Sequence, residues 1–301
     1  MIHLTSDNIQ ISRPTAVAIG KFDGVHRGHM ALLNKLKDVA KKNGLATLVF
    51  TFSPHPIAFF KKEPMPLLLD PMEKLDIFKS MGIDYYLEYK FDDSFAQTTP
   101  ADFLTKIVRD ELKAHTLVVA EGYRFGRGGS GTVDVAGEIC HNIGLEMHTI
   151  GHVVHKGHKI SSDYLRTLIV QRDFELMSSL YGRDFYVTGT VLHGNALGRT
   201  IGFPTANIKV HNEKLLPPNG VYATTTLIDG VKYKSVTNIG LRPSVESDGE
   251  IHVETHIIAF SKDIYGKEVV VNFHKHIRDE QKFDDLSALK AQLAKDVDQA
   301  R

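Results

Sequence analysis

Two stretches of this chain gather imidazole, hydroxyl, amide and glycine groups at spacings suited to holding phosphate. In Gly20-Lys21-Phe22-Asp23-Gly24-Val25-His26-Arg27-Gly28-His29, two histidines stand three residues apart, behind the apolar run Ala16-Val17-Ala18-Ile19 and at the mouth of a helical pattern. A glycine after a buried strand permits a tight turn. The helix that follows presents unpaired N–H groups and the positive end of its dipole to an anion. The small Gly28 leaves room for ligand atoms while His26 and His29 reach toward one phosphate, an arrangement suited to a polyphosphate whose charge grows during reaction. The same histidines would also serve as a helix cap or as solvated surface groups. A zinc pair is the other chemical option, but no third ligand follows at metal-site spacing.

The second stretch is Gly198-Arg199-Thr200-Ile201-Gly202-Phe203-Pro204-Thr205-Ala206-Asn207. Its glycines permit backbone approach to phosphate. Thr205 and Asn207 offer a hydroxyl and an amide carbonyl, the hard oxygen ligands that a Mg²⁺–nucleotide complex accepts. A third histidine, His55, stands in Thr51-Phe52-Ser53-Pro54-His55-Pro56, where two prolines stiffen the loop. Read alone it is an ordinary stiff turn; beside the first stretch it forms a second wall of one crevice.

These groups need elements to carry them. Up to about residue 182 short apolar runs alternate with amphipathic helical patterns: 15–19 then 30–42, 46–52 then 73–81, 85–88 then 101–112, 117–120 then 133–143, and a last run 146–150. Strands alternating with helices predict a doubly wound parallel α/β sheet, with its ligand beyond the carboxyl ends of the strands. A helical stretch, 162–180, follows. Beyond it strands at 185–192, 221–228, 231–239, 252–260 and 268–275, separated by turn residues, predict an antiparallel barrel or sandwich closed by a helix over 286–297. Two domains are expected, 1–182 and 183–301.

Whole-chain properties narrow the class further. Lys+Arg and Asp+Glu balance at 36 each, which gives no electrostatic footprint for nucleic acid or for a membrane surface. The single cysteine, Cys140, excludes an internal disulfide and a cysteine zinc cluster, and a reducing compartment is the simplest setting. With no basic-then-apolar leader and no apolar run of spanning length, the expected protein is cytoplasmic.

Taken together, G-x-F-D-G-x-H-x-G-H and T-F-x-P-H-P resemble the adenylyltransferase half of the bacterial bifunctional riboflavin kinase/FAD synthetase family. The segment 198–207 resembles the signature of its riboflavin kinase module. Companions of that signature follow in order: Gly220-Val221-Tyr222-Ala223, Asn238-Ile239-Gly240-Leu241-Arg242-Pro243, Val253-Glu254-Thr255-His256 and, at the tail, Ile277 to Phe283. The resemblance covers nearly the entire chain. It implies adenylylation of FMN to FAD with release of pyrophosphate in the first half, and phosphorylation of riboflavin to FMN by ATP in the second. His26, His29 and Arg166 would then stabilise the transferring phosphate. Gly20, Phe22, Asp23, Gly24, Gly28, Ser161 and Ser162 would line the first nucleotide site, and Gly198, Arg199, Gly202 and Pro204 the second. Thr205 and Asn207 would hold Mg²⁺, His55, Asn238 and Arg242 would touch flavin, and Glu254 would act as general base.

Four positions depart from the family pattern. Gly122 replaces an aspartate in Val119-Ala120-Glu121-Gly122-Tyr123-Arg124-Phe125-Gly126, and Asp163 replaces a threonine in Ile160-Ser161-Ser162-Asp163-Tyr164-Leu165-Arg166. A hydroxyl donates to a phosphate oxygen, whereas a carboxylate repels it. Ser244 stands for threonine and Ala259 for aspartate in the second half. The first two departures keep open a riboflavin kinase with a weakened or lost adenylyltransferase site; a non-catalytic flavin- or nucleotide-binding regulator built on an enzyme scaffold is a third reading.

Overall fold

The computed structural model describes residues 1–194, 197–241 and 251–301. Contacts within the chain divide it into two units, Met1–Ser161 and Ser162–Arg301.

In the first unit six strands form one sheet: β1 (Ile2–Thr5), β2 (Thr15–Ile19), β3 (Ala46–Ser53), β4 (Tyr85–Lys90), β5 (Ala114–Ala120) and β6 (Glu146–Ile150). Their order is β1-β4-β3-β2-β5-β6 and every pairing is parallel. Parallel pairs need long crossovers, and helices supply them. Because helices then cover both faces, β2 reads as an unbroken apolar run. Val17 and Ile19 join a core with Phe103, Leu104 and Val108. Ala16 and Ala18, equally buried, alternate to the other face. Helix Arg27–Asn43 packs against β2, β3 and β5 through a stripe containing Leu32, Leu33, Leu36, Val39 and Ala40. Strand order reverses at β2, so the loops leaving β2 and β5 border the crevice where such sheets bind ligands. The expected doubly wound sheet is present.

Some elements differ from expectation. β1 pairs with β4 at the sheet edge, four residues too short to announce themselves. The helix expected over 101–112 is Pro100–Asp102 continued by wider turns over Phe103–Glu111, with Leu112 N–H donating to the Ile107 carbonyl at 3.0 Å. A two-stranded hairpin, β7 (Val154–His155) and β8 (His158–Lys159), ends the unit.

In the second unit the single helical stretch expected over 162–180 is two helices, Ser162–Val170 and Phe174–Tyr181. They precede β9 (Phe185–Leu192), β10 (Ala206–Val210), β11 (Gly220–Ile228), β12 (Val231–Leu241), β13 (Ile251–Ile257), β14 (Glu268–Arg278) and helix Leu286–Ala300. The six strands close into an antiparallel barrel in the order β10-β13-β12-β11-β14-β9. Closure leaves no edge strand to cover. Phe174 packs on Phe185, Tyr222 and Phe273, so the second helix belongs to the barrel's core. Deeper in, five buried hydroxyls bond in series across β11, β12 and β13: Thr226 to Ser235, Ser235 to Thr224, Thr224 to Thr237 and Thr237 to Thr255, at 2.8–2.9 Å. A hydroxyl in an apolar interior is costly unless bonded, and here each supplies the next.

Candidate functional site

The described residues form two candidate sites, one in each unit. The first begins where β2 ends. His26 is the N-cap of helix Arg27–Asn43, and its Nδ1 accepts the His29 backbone N–H at 3.3 Å. A ring nitrogen that accepts is unprotonated, so the neutral imidazole carries its proton on Nε2 and offers a donor there. The two rings stack with centroids 3.9 Å apart and 17° between planes. They form one layer at the positive end of the helix, with His26 serving as its cap.

The loop's conformation rests on two details. The left-handed positions of the turn are Phe22 (φ 47) and Val25 (φ 42), not its glycines. A Cβ on Gly20 would stand 3.1 Å from the Phe22 ring, and one on Gly28 would stand 3.0 Å from His26 Cε1. Gly20 thus makes room for the buried Phe22, and Gly28 for the His26 imidazole. Phe22 in turn packs on His29 and Phe78, at 5.1 and 5.7 Å. Gly24 and Asp23 are buried in the same loop. The Asp23 carboxylate accepts the Leu68 N–H at 3.2 Å. It also faces the buried ammonium of Lys74, whose pKa burial lowers against the opposing pull of Asp23, Glu88 and Asp70. Asp23 therefore orders the loop from behind.

His55 follows β3 and caps helix Pro56–Lys61, its Nδ1 accepting the Ile57 N–H at 3.2 Å. The Ile160 carbonyl lies 3.9 Å from the position of a Gly28 Cβ, so the start of the Ile-Ser-Ser segment runs beside the histidine loop. Ser161 closes the first unit and Ser162 opens the second. In the second unit Arg166 Nη1 bonds Asp163 Oδ1 at 3.3 Å. Asp163 does not stand as a bare charge; the guanidinium three residues on offsets it. Gly122, in place of aspartate, has φ 79 in the turn closed by Tyr123 N–H to the Ala120 carbonyl, a conformation that glycine adopts most readily.

The second site is built on strands. Asn207 on β10 pairs in register with Glu254 on β13, Glu254 with Asn238 on β12, Asn238 with Val221 on β11, and Val221 with Arg278 on β14. Directly paired residues share a face, so these five make one row across the barrel wall. Glu254 and Asn238 look into a cavity of about 320 Å³, floored by Val221 and Val236 and roofed by Leu289, Leu293 and Val297 of the terminal helix. That helix is anchored by the fully buried Asp296, which takes a forked pair from Arg278 at 2.8–3.2 Å and a bond from Gln292 at 2.8 Å.

Thr205 lies two residues ahead of Asn207, on the same alternation and at the cavity rim. Gly198 and Arg199 belong to the short helix Leu197–Thr200, and Phe203 N–H donates to the Gly198 carbonyl at 2.8 Å. Gly202 takes φ 87 in the following turn. The Pro204 carbonyl bonds His256 Nδ1 at 2.8 Å, which ties this segment to the strand of Glu254. Arg242 and Ser244 lie outside the described residues. Ala259 has φ 55, where aspartate would sit more easily.

The sequence reading missed the cavity's far wall. Glu280 accepts a bond from Asn238 Nδ2 at 3.4 Å, and Gln281 and Phe283 line the same space. Their signal was the tail segment 277–283, which spacing alone does not connect with Asn238. Among the described residues no three His, Cys, Asp or Glu side chains converge as a metal cage. The oxygens of Thr205 and Asn207 nonetheless fit magnesium, which takes few protein ligands and fills its shell with phosphate and water.

An α/β unit with an imidazole pair at its switch point and a barrel with a carboxylate and amides in one row thus stand in one chain. The FAD synthetase family model matches residues 8–164 and the riboflavin kinase model residues 181–301. A Pseudomonas fluorescens protein named bifunctional riboflavin kinase/FMN adenylyltransferase is 36% identical over 289 residues, 96% of this chain and 93% of that protein. One of the same name from Escherichia coli (strain K12) is 37% identical over 287 residues, 95% of this chain and 91% of its own length. A crystal structure described as a macrolide-efflux protein from Streptococcus pneumoniae matches with a TM-score of 0.89 at 29% identity, covering 100% of this chain and 99% of that one. This chain belongs to the bifunctional riboflavin kinase/FMN adenylyltransferase family.

Proposed function

We propose that this chain makes FAD from riboflavin in two ATP-dependent steps, one in each module. In the barrel, Glu254 accepts the proton of the riboflavin 5′-hydroxyl as that oxygen attacks the γ-phosphorus of ATP and ADP leaves. Asn238 and Arg242 orient the flavin, while Gly198, Arg199, Gly202 and Pro204 receive the nucleotide. Thr205 and Asn207 hold magnesium, which neutralises phosphate charge when bound. The observation that carries this reading is the in-register row Asn207, Glu254, Asn238 beside the cavity under the terminal helix.

In the α/β module a phosphate oxygen of FMN attacks the α-phosphorus of ATP and pyrophosphate leaves. No protein nucleophile is needed; His26 and His29 offer donors at the helix N-terminus to the growing charge, and Arg166 holds phosphate. Gly20, Phe22, Asp23, Gly24, Gly28, Ser161 and Ser162 shape that nucleotide site, and His55 faces the flavin. The functional boundary is placed at 182/183; the family matches cover 8–164 and 181–301, and the contact-defined units meet at 161/162. A cytoplasmic setting accompanies the proposal: Cys140 is a buried thiol in no disulfide, and no described helix is long and apolar enough to cross a membrane. The names of the relatives and the two family matches support this reading over a kinase-only enzyme or a non-catalytic binder.

Chromatography of products tests it. With magnesium and ATP, riboflavin is expected to yield FMN and then FAD, and FMN offered alone to yield FAD. FMN accumulating without FAD would remove the second activity.

A further inference from the structure

Arg172 lies between the two family matches, in the turn that separates helices Ser162–Val170 and Phe174–Tyr181. Arg172 N–H bonds the Ile169 carbonyl and Asp173 N–H the Leu168 carbonyl, both at 3.0 Å, and Arg172 has φ 62. This pair of bonds closes a helix around a left-handed residue, a position that glycine fills most easily. An arginine held there points to work for its side chain.

That side chain spans the end of the barrel. Nη1 donates to Asp279 Oδ1 at 2.7 Å, and Nη2 to the Asn219 carbonyl at 3.0 Å. One fork therefore joins the residue before β11 to the residue after β14. Asp279 is the backbone neighbour of Glu280, whose carboxylate takes the bond from Asn238 Nδ2 at 3.4 Å. Asn238 pairs in register with Glu254. The path from Arg172 to the proposed base thus runs through one ion pair, one peptide unit, one hydrogen bond and one strand register.

We infer that Arg172 is a positioning residue for riboflavin binding: it fixes Asp279, and through it sets Glu280 against Asn238 in the wall of the kinase cavity. The inference rests on the kinase reading of that cavity. Arg172 is not among the residues that line the cavity. A planar fork is required, because the carboxylate and the carbonyl are met at once; a lysine ammonium meets them less well.

The test is steady-state kinase kinetics together with riboflavin fluorescence titration without ATP, on the full chain. Arg172→Met is expected to raise both the KM and the dissociation constant for riboflavin roughly tenfold, with kcat within about twofold. Arg172→Lys should restore part of the loss. Asp279→Asn should resemble Arg172→Met, and the double variant should be no worse than either, because both break one path. Unchanged riboflavin binding in Arg172→Met, or losses that simply add in the double variant, would overturn the inference. If Arg172→Met does not fold, the exposed Asp279→Asn carries the same comparison. A wild-type chain that binds riboflavin but never phosphorylates it would sink the kinase reading, while the titration still decides Arg172.

Discussion

The two sites are assembled by opposite means. In the α/β unit the imidazole pair is set by neighbours in sequence: His26 caps a helix and stacks on His29 three residues on, and Phe22 and Val25 take the left-handed bends. In the barrel Asn207, Glu254 and Asn238 are brought together by strand register across 47 residues of chain, and the hydroxyl series behind β11, β12 and β13 bonds those strands to one another. A locally built site is vulnerable to single-residue changes in its loop. A register-built site depends on buried contacts on the opposite face of its strands.

Four changes would sharpen or break this contrast. Glu254→Gln removes a base and is expected to lower kinase turnover by about 10²–10⁴-fold, leaving FMN adenylylation intact; equal loss of both activities would end the separation of sites. Thr237→Val strikes the barrel from inside by orphaning its buried partners, and should cost about 1–3 kcal/mol in urea unfolding at unchanged slope. Asp163→Thr removes an exposed ion pair of about 0–1 kcal/mol beside Arg166 and supplies a donor, so FMN adenylylation should rise by up to ~5-fold. A fall would mean that the carboxylate orients Arg166 usefully.

The smallest effect concerns His276, whose pKa is lowered by burial and then by the Arg172 cation, against the pull of Asp279. The unfolded chain, titrating near ~6.5, takes the proton first as pH falls, so stability declines below that value. Thermal unfolding of His276→Asn across that range should show a shallower decline than the wild-type chain.

The fold was legible where periodicity was strong. β2 and β6, β9 and helix Val133–Ile143 stand at the expected residues, because apolar runs bounded by turns or a 3.6-residue stripe leave few alternatives. β10 was hidden at the end of 198–207, where glycines and a proline read as loop although Ala206–Val210 completes the barrel. Arg172 was hidden for another reason: one polar residue in a helical stretch gives no sign that its φ is positive. At the sites, residue types at fixed spacing singled out the histidines, Thr205 and Asn207 as candidates, whereas Glu254 followed only from the resemblance to the kinase signature. Spacing gave no hint that Gly28 accommodates an imidazole, that Asp163 is paired, or that Glu280 reaches Asn238. Each of these depends on where a side chain turns after the backbone is set.

On the proposed reading, two separate sites in one chain perform two successive transfers. The most direct measurement of this is complementation between Glu254→Gln and His29→Ala proteins supplied with riboflavin, magnesium and ATP. Alone, the first is expected to leave riboflavin unconverted and the second to stop at FMN; mixed, they should make FAD. A His29→Ala protein that makes FAD as fast as the wild type, or a mixture that makes none, would contradict the account.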